Sequence, residues 1–177
     1  MDGYLAVVAK REVRRYTNRS LDDDVLTKIL QAGRASGSAK NSQPWRFIVL
    51  RDRARRAELA AMIMAPRNLE GCATAIAVVL TNERLRFDAG RVAQNMMVAA
   101  WALRVGSCVN SVRPDAQDRM REALGYPAEA TVGTIVTLGY PAPGEPHPDP
   151  KAKPEKVLSR VDRRPLEEIV SYERYTS

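Results

Sequence analysis

Apolar residues recur at intervals of three and four in several parts of the chain, which is the pattern of amphipathic helices. Ser20 and the aspartates that follow Leu21 are typical of a helix start, and Gly33 and Gly37 are typical of a helix end. The pattern predicts helices over residues 4–9, 22–35 and 88–103. A further helix is expected to be capped by Asp52 and to carry Leu59, Met62 and Ile63. Another is expected to start at Pro114–Asp115 and to stop at Gly125.

Shorter apolar runs bounded by polar or turn residues predict strands over residues 47–50, 73–80, 107–112 and 132–141. The run 73–80 is apolar throughout, so we expect its strand to be buried on both faces. Residues 66–71 are predicted to be a loop, and the proline-rich residues 141–154 a solvated connector. Regular structure is expected to resume at Val157 and to continue to Tyr172.

The helix predicted over residues 88–103 is apolar on all sides from Val92 onward, except at Gln94 and Asn95, and Gly106 is expected to end it. A helix of this kind is buried on all sides. In a small domain one side can face the core and the other a second subunit, and a symmetric homodimer is the commonest way to bury such a surface. The alternative is a central helix within a monomer.

Residues 36–47 join a predicted helix to a predicted strand and read SGSAKNSQPWRF. Small polar residues and turn formers dominate the segment, and a large aromatic residue, Trp45, lies near its end. Loops with such specific chemistry often bind ligands. We interpret the segment as a ligand-binding loop, the alternative being a helix cap and turn with Trp45 in the core.

The basic segment 10–16 reads KREVRRY. In an extended conformation Arg11, Val13 and Arg15 would share one face, while Lys10, Glu12, Arg14 and Tyr16 would share the other. Several cations could then converge on one anion, as guanidinium groups do when they bind phosphate. A solvated run of charges is the alternative interpretation.

The chain of 177 residues fits one domain, 1–177, with 45% hydrophobic and 28% charged residues. The net charge of +7 comes from short clusters at residues 10–19, 51–56 and 160–164, and no nucleic-acid-binding motif accompanies them. No apolar run is long enough to span a membrane, and no secretion signal is evident. We therefore expect a cytoplasmic protein that binds neither nucleic acid nor membrane, with Cys72 and Cys108 reduced.

Several kinds of catalytic machinery are missing from the sequence. His147, the only histidine, lies among prolines, and the two cysteines are far apart, so a zinc site is not expected. The chain has no nucleophile-elbow, P-loop or Gly-x-Gly-x-x-Gly motif. An enzyme without these groups is expected to use an organic cofactor for the difficult chemical step.

Taken together, these segments resemble the FMN-dependent nitroreductase family over nearly the whole chain. The resemblance rests on the basic segment 10–16, the loop 36–47 with its Asn-x-Gln-Pro-Trp ending, the helix 88–106, the sequence Leu-Gly-Tyr-Pro at 138–141 and residues 163–170. It implies an α+β fold, with a mostly antiparallel central sheet flanked by helices, a long central helix at a homodimer interface and an extended C-terminal arm.

The resemblance also implies two FMN sites at the interface between the subunits. One subunit would supply Lys10, Arg11, Glu12 and Arg14, with Arg14 near the pyrimidine end, where positive charge stabilises reduced flavin. The partner subunit would supply Gly37, Ser38, Ala39 and Asn41. The resemblance further places Val109, Asn110 and Ser111 at the isoalloxazine ring, and Arg163, with Arg164, at the phosphate.

Three residues depart from the family pattern. Lys10 replaces the usual arginine and loses its bidentate fork. Glu12 replaces a common serine, so we expect contact there through the backbone only. Gly37 replaces a common proline, which should loosen the loop. The span between Met64 and Cys72 is short, which predicts an unusually open substrate pocket.

The activity that the resemblance implies is ping-pong electron transfer. NAD(P)H would reduce FMN and leave, and an acceptor such as a nitroaromatic or a quinone would then be reduced at the same face. No protein side chain is expected to be catalytic in its own right. Two alternatives stay open. The first is a non-enzymatic dimer that binds flavin, another anion or nucleic acid. The second is a flavin enzyme that catalyses a different reaction, such as oxidative fragmentation of the flavin.

Overall fold

The computed structural model describes residues 1–82 and 85–175. Within these ranges four strands form one antiparallel sheet in the order β1-β2-β4-β3. The strands are β1 (Trp45–Leu50), β2 (Thr74–Leu80), β3 (Gly106–Asn110) and β4 (Thr131–Gly139). The four predicted strands and the antiparallel α+β architecture are therefore confirmed.

Helices occupy most of the chain between the strands. They are α1 (Gly3–Ala9), α2 (Asp23–Arg34), α3 (Arg53–Ala60), α4 (Pro66–Gly71), α5 (Arg86–Ala102), α6 (Gln117–Leu124), α7 (Pro154–Leu158) and α8 (Leu166–Ile169). The predicted cap of α3 is confirmed, because the Asp52 carboxylate accepts the Arg55 N–H at 2.7 Å. Gly125 ends α6 in the left-handed conformation that glycine tolerates best.

The sheet separates two hydrophobic clusters. On one face Ile76 and Leu80 of β2 pack with residues of α2 and α5, and on the other Ala75 and Ala77 pack with residues of α3, α4 and α6. Every residue of β2 is buried, as the continuous apolar run predicted. Trp45 belongs to the first cluster and is 5% exposed, so this aromatic residue is part of the core.

Three local predictions were wrong. Residues 66–71 form helix α4 rather than a loop, because Pro66 is placed at its first turn and Leu69 is fully buried. Gly106 does not end helix α5, as predicted, but begins β3. The helix ends at Ala102, two residues before Arg104, which adopts a φ of 65°. Met62 and Ile63 lie beyond the end of α3, and Ile63 pairs with Val112 in an isolated bridge.

Helix α5 packs against α2 and the sheet, and most of its apolar residues are buried within one chain. The exception among the large side chains of this helix is Phe87 in its first turn, which is 78% exposed. Other large exposed apolar side chains include Tyr4 and Val7 of α1, and Leu166, Ile169 and Tyr172 of the C-terminal segment 158–175.

Candidate functional site

The basic segment 10–16 lies beside the edge strand β3. Glu12 forms a parallel bridge with Ser107, and the Val13 N–H donates to the Ser107 carbonyl at 2.9 Å. The Val13 side chain is fully buried, and a Cβ on Gly106 would lie only 2.7 Å from its Cγ1. The missing side chain at Gly106 therefore allows the basic segment to approach the strand closely.

The Glu12 side chain connects the two segments. One carboxylate oxygen forms an ion pair with Lys10 Nζ, and the other accepts the backbone N–H of Val109 at 3.2 Å. The Lys10 side chain is only 9% exposed, so its charge is balanced inside the protein. Burial and the adjacent Glu12 raise the pKa of the Cys108 thiol to about 12, while Arg14 and Lys10 oppose this rise.

The arginines of the segment differ in their partners. Arg11 donates from Nη1 to the carbonyls of Val8 and Lys10, both at 2.8 Å. Glu145 accepts the backbone N–H of Arg14 at 3.0 Å and Arg15 Nε at 2.7 Å. These two donors, with the Arg14 N–H the stronger influence, lower the pKa of Glu145.

Arg14 is exposed, and its guanidinium group contacts no acidic side chain in the described parts of the chain. Its backbone is held by Glu145 while the charged end extends into solvent. An arginine anchored in this way can bind an anion without first leaving another partner.

The three residues that end or follow β3 face different environments. Val109 is 45% exposed and Ser111 is exposed, whereas Asn110 is buried. The Asn110 amide donates to the carbonyls of Cys108 and Ile135, and its oxygen accepts Asn68 Nδ2 at 2.9 Å. A ligand at this edge would therefore meet the Val109 side chain and the backbone, because the Asn110 side chain is engaged within the protein.

Asn68 was missed by the sequence interpretation because its helix, α4, was predicted to be a loop. It is 6% exposed, and its amide reaches across to Asn110. A helix of six residues gave no periodic signal from which the burial of Asn68 could have been predicted.

The loop 36–43 adopts a strained backbone. Lys40, Asn41 and Gln43 have φ values of 52°, 52° and 46°, a region in which residues other than glycine are uncommon. Two side chains stabilise this shape: Ser38 Oγ accepts the Gln43 N–H at 2.9 Å, and Ser36 Oγ accepts Asn95 Nδ2 at 2.8 Å. Backbone strain of this kind concentrates at ligand-binding segments.

The loop rests on α5 at Arg91 and Asn95. Besides the bond from Asn95, the guanidinium of Arg91 lies over Gly37, with Nη2 2.5 Å from the position of a Cβ there. The basic segment instead contacts β3, which follows α5 in the chain.

The predicted site residues therefore form three groups. The segment with Lys10, Arg11, Glu12 and Arg14 lies beside the strand that ends at 109–111, joined to it through Glu12, while Gly37, Ser38, Ala39 and Asn41 lie on the loop that contacts α5. Arg163 and Arg164 lie on the exposed C-terminal segment, where Arg163 Nη1 donates to its neighbour, the Asp162 carbonyl, at 2.5 Å. One chain by itself does not unite the three groups in the contacts of its described residues.

Comparisons with known proteins agree with this architecture. The sequence matches the Nitroreductase family over residues 7–78 and 80–140. A protein of Archaeoglobus fulgidus, provisionally named NADH dehydrogenase/NAD(P)H nitroreductase, is 31% identical over 144 residues, which cover 76% of this chain and 83% of that protein. The chain belongs to the Nitroreductase family, a family of oxidoreductases.

Solved structures share the fold. An FMN-dependent nitroreductase of Clostridium difficile aligns with a TM-score of 0.81 and 24% identity, covering 99% of this chain and all of that chain. Nitroreductase A of Vibrio parahaemolyticus aligns with a TM-score of 0.82 and 21% identity, covering all of this chain and 78% of that one. In the described ranges, no helix has the length and hydropathy needed to cross a membrane.

Proposed function

We propose that the protein is an FMN-dependent oxidoreductase that transfers electrons from NAD(P)H to a small acceptor such as a nitroaromatic or a quinone. The observation that carries the proposal is the packing of the basic segment, with Lys10, Arg11, Glu12 and Arg14, against β3 through Glu12. In a member of the Nitroreductase family, such a group of cations at a sheet edge supports binding of an anionic flavin.

The residues present fit FMN in charge and in shape. The exposed guanidinium of Arg14 supplies a cation that is free to pair, and the exposed side chain of Val109 supplies an apolar contact for a flat ring. The Glu12–Lys10 ion pair leaves that part of the site nearly neutral, so less positive charge is available there than three cations would give.

Bound FMN would supply the two-electron chemistry, and the chain would supply position and charge. Arg14 would stabilise the negative charge of the reduced pyrimidine end, because a fixed cation is most effective where charge develops. Val109 and the backbone of Asn110 and Ser111 would support the ring from the strand. In a ping-pong cycle, the nicotinamide and the acceptor would bind in turn on the exposed side.

We further propose that the complete site is formed by a homodimer. The strained loop with Gly37, Ser38, Ala39 and Asn41 contacts α5 at Arg91 and Asn95, and no hydrogen bond or ion pair in the described residues joins it to the basic segment, so a second copy is the simpler source of its flavin contacts. The C-terminal segment, with Leu166 68% exposed and Tyr172 85% exposed, presents apolar side chains that a second subunit could cover. Arg163 and Arg164 on this segment would then bind the phosphate.

Flavin content and its reduction test the proposal. The purified protein should be yellow, or become so with added FMN, and NADH or NADPH should bleach the flavin absorbance under anaerobic conditions. A protein that takes up no FMN would contradict the proposal. Flavin that is bound but reduced by neither nicotinamide would instead favour a non-enzymatic flavin-binding role.

Dilution tests the dimer. FMN affinity, measured by the quenching of flavin fluorescence, should fall across the concentration range in which sedimentation shows the dimer dissociating. A monomer that keeps the full affinity would show that one chain holds the cofactor without its partner.

A further inference from the structure

A second basic site lies away from the proposed flavin site. A cavity of about 230 Å³ opens between residues 17–20, the start of α3 and the end of α4. Four arginines line it, Arg19, Arg51, Arg53 and Arg56, together with Glu70 and Cys72. None of these residues belongs to the proposed flavin site.

Arg56 is the unusual member of this group. It is only 5% exposed, and one of its terminal nitrogens donates to the Arg51 carbonyl. Its Nε has no hydrogen-bond partner, and no carboxylate in the described residues forms an ion pair with it. A buried guanidinium without a counter-charge is costly, so an anion in the adjoining cavity would relieve that cost.

The other charges around the cavity leave it positive. Arg19 pairs with Asp22 at 3.2 Å, and Arg51 pairs with Asp23. These carboxylates are 60% and 80% exposed at the side chain, so solvent screens both pairs. Arg53 is exposed and pairs with no described carboxylate, and Glu70 is the one acidic residue among those that line the cavity.

We propose that this cavity binds a small phosphate-bearing anion. Phosphate suits the site better than a carboxylate, because its oxygens can accept charge-assisted hydrogen bonds from several guanidinium groups at once. Among the lining residues, Arg56 supplies a buried charge and Arg53 supplies an exposed one. The site is independent of the flavin chemistry, and the proposal does not rest on it.

Calorimetric titration of FMN-saturated protein tests the site, because added phosphate then cannot compete for an empty flavin position. Inorganic phosphate and pyrophosphate are titrated at constant ionic strength, with chloride and acetate as comparison anions. We expect Arg56→Gln to weaken phosphate binding about tenfold or more, the loss of one charge-assisted contact. Arg55→Gln is the matched control, since Arg55 is on the same helix and pairs with Glu58 in solvent.

Equal phosphate affinity in Arg56→Gln and the wild type would overturn the proposal, as would equal binding of acetate or chloride. Arg53→Gln gives a second variant at an exposed position, and it should weaken phosphate binding while leaving folding intact. Thermal unfolding adds an independent readout: phosphate should raise the melting temperature of the wild type and of Arg55→Gln more than that of Arg56→Gln. Identical shifts in all three proteins would again overturn it.

Discussion

The carboxylate of Glu12 accepts the backbone N–H of Val109 across 3.2 Å, and its second oxygen pairs with Lys10. One side chain thus ties the basic segment to the end of β3. Glu12 stands where the family commonly has a serine, and its side chain bonds to groups of the protein itself. A flavin contact at residue 12 through the backbone stays a prediction.

Removing this connection should loosen the site. Glu12→Ala is expected to lower the free energy of unfolding by about 1 kcal/mol, because the Val109 N–H loses its acceptor and Lys10 loses its counter-charge. Glu12→Gln keeps an oxygen for Val109 and should lose less. Urea unfolding of the flavin-free proteins measures both, and a Glu12→Ala protein as stable as the wild type would show that the connection contributes nothing.

The two arginines assigned to the flavin should contribute separately. Arg14→Ala and Arg163→Ala are each expected to weaken FMN binding by about tenfold to a hundredfold, the range for a lost charge-assisted contact. Arg121→Ala is the control, since Arg121 pairs locally with Asp118 on α6. Fluorescence titration of flavin-free protein gives the affinities. If both variants bind FMN as the wild type does, the residue assignment is wrong.

Two glycines should respond in opposite ways to the same substitution. Gly106→Ala places a Cβ 2.7–2.9 Å from Val13 atoms and should destabilise the protein by displacing the basic segment. A Cβ on Gly90, in the exposed part of α5, meets nothing within 4 Å, and Gly90→Ala should stabilise the protein by up to about 1 kcal/mol through helix propensity.

Thermal unfolding distinguishes the two alanine variants, and FMN titration adds a second comparison. The Gly106 variant should bind FMN more weakly, because Val13 and Arg14 are neighbours in the chain. A Gly106→Ala protein with unchanged stability and flavin affinity would show that the close approach of Val13 is not needed.

The buried thiols should make the protein sensitive to alkali. Burial raises the pKa of Cys72 from 9.0 to about 11, with Arg56 opposing the rise. As the pH rises, the thiol of the unfolded chain therefore loses its proton before the thiol of the folded chain does. Because the folded state then binds more protons, the free energy of unfolding falls between about pH 9 and 11. The slope for one group is at most about 1.4 kcal/mol per pH unit.

Comparison with Cys72→Ala isolates this contribution. The free energy of unfolding, measured from pH 8 to 10.5, should fall less steeply for the variant than for the wild type, whatever their difference at pH 8. Parallel curves would mean that the Cys72 thiol titrates alike in the folded and unfolded chains.

Local chemistry explains which parts of the fold could be predicted. Asp52 caps α3, Gly125 ends α6 and the apolar run of β2 is buried on both faces, because each feature depends on neighbours in sequence. Helix α4 was missed because six residues are too few to show helical periodicity. The end of α5 was missed because a non-glycine residue, Arg104, takes the left-handed turn.

The candidate site was predictable in composition but not in arrangement. Alternation along residues 10–16 indicated that cations could converge, yet pairing of Glu12 with Ser107 joins segments far apart in sequence, and no local pattern encodes it. The buried Asn110 side chain accepts a hydrogen bond from Asn68. This contact could not be predicted, because Asn68 was assigned to a loop. That Arg163 and the loop contact the same flavin stays a prediction, which the dilution and mutation experiments address.

The left-handed residues of the loop imply a compromise between thermal stability and rapid ligand binding. Lys40, Asn41 and Gln43 hold a backbone conformation that costs most residues other than glycine about 1 kcal/mol or more, although asparagine adopts it more readily. Glycine at these positions would relieve the strain but would also widen the range of shapes that the loop can sample. Selection for heat resistance and selection for rapid ligand capture would therefore favour different residues at the same three positions.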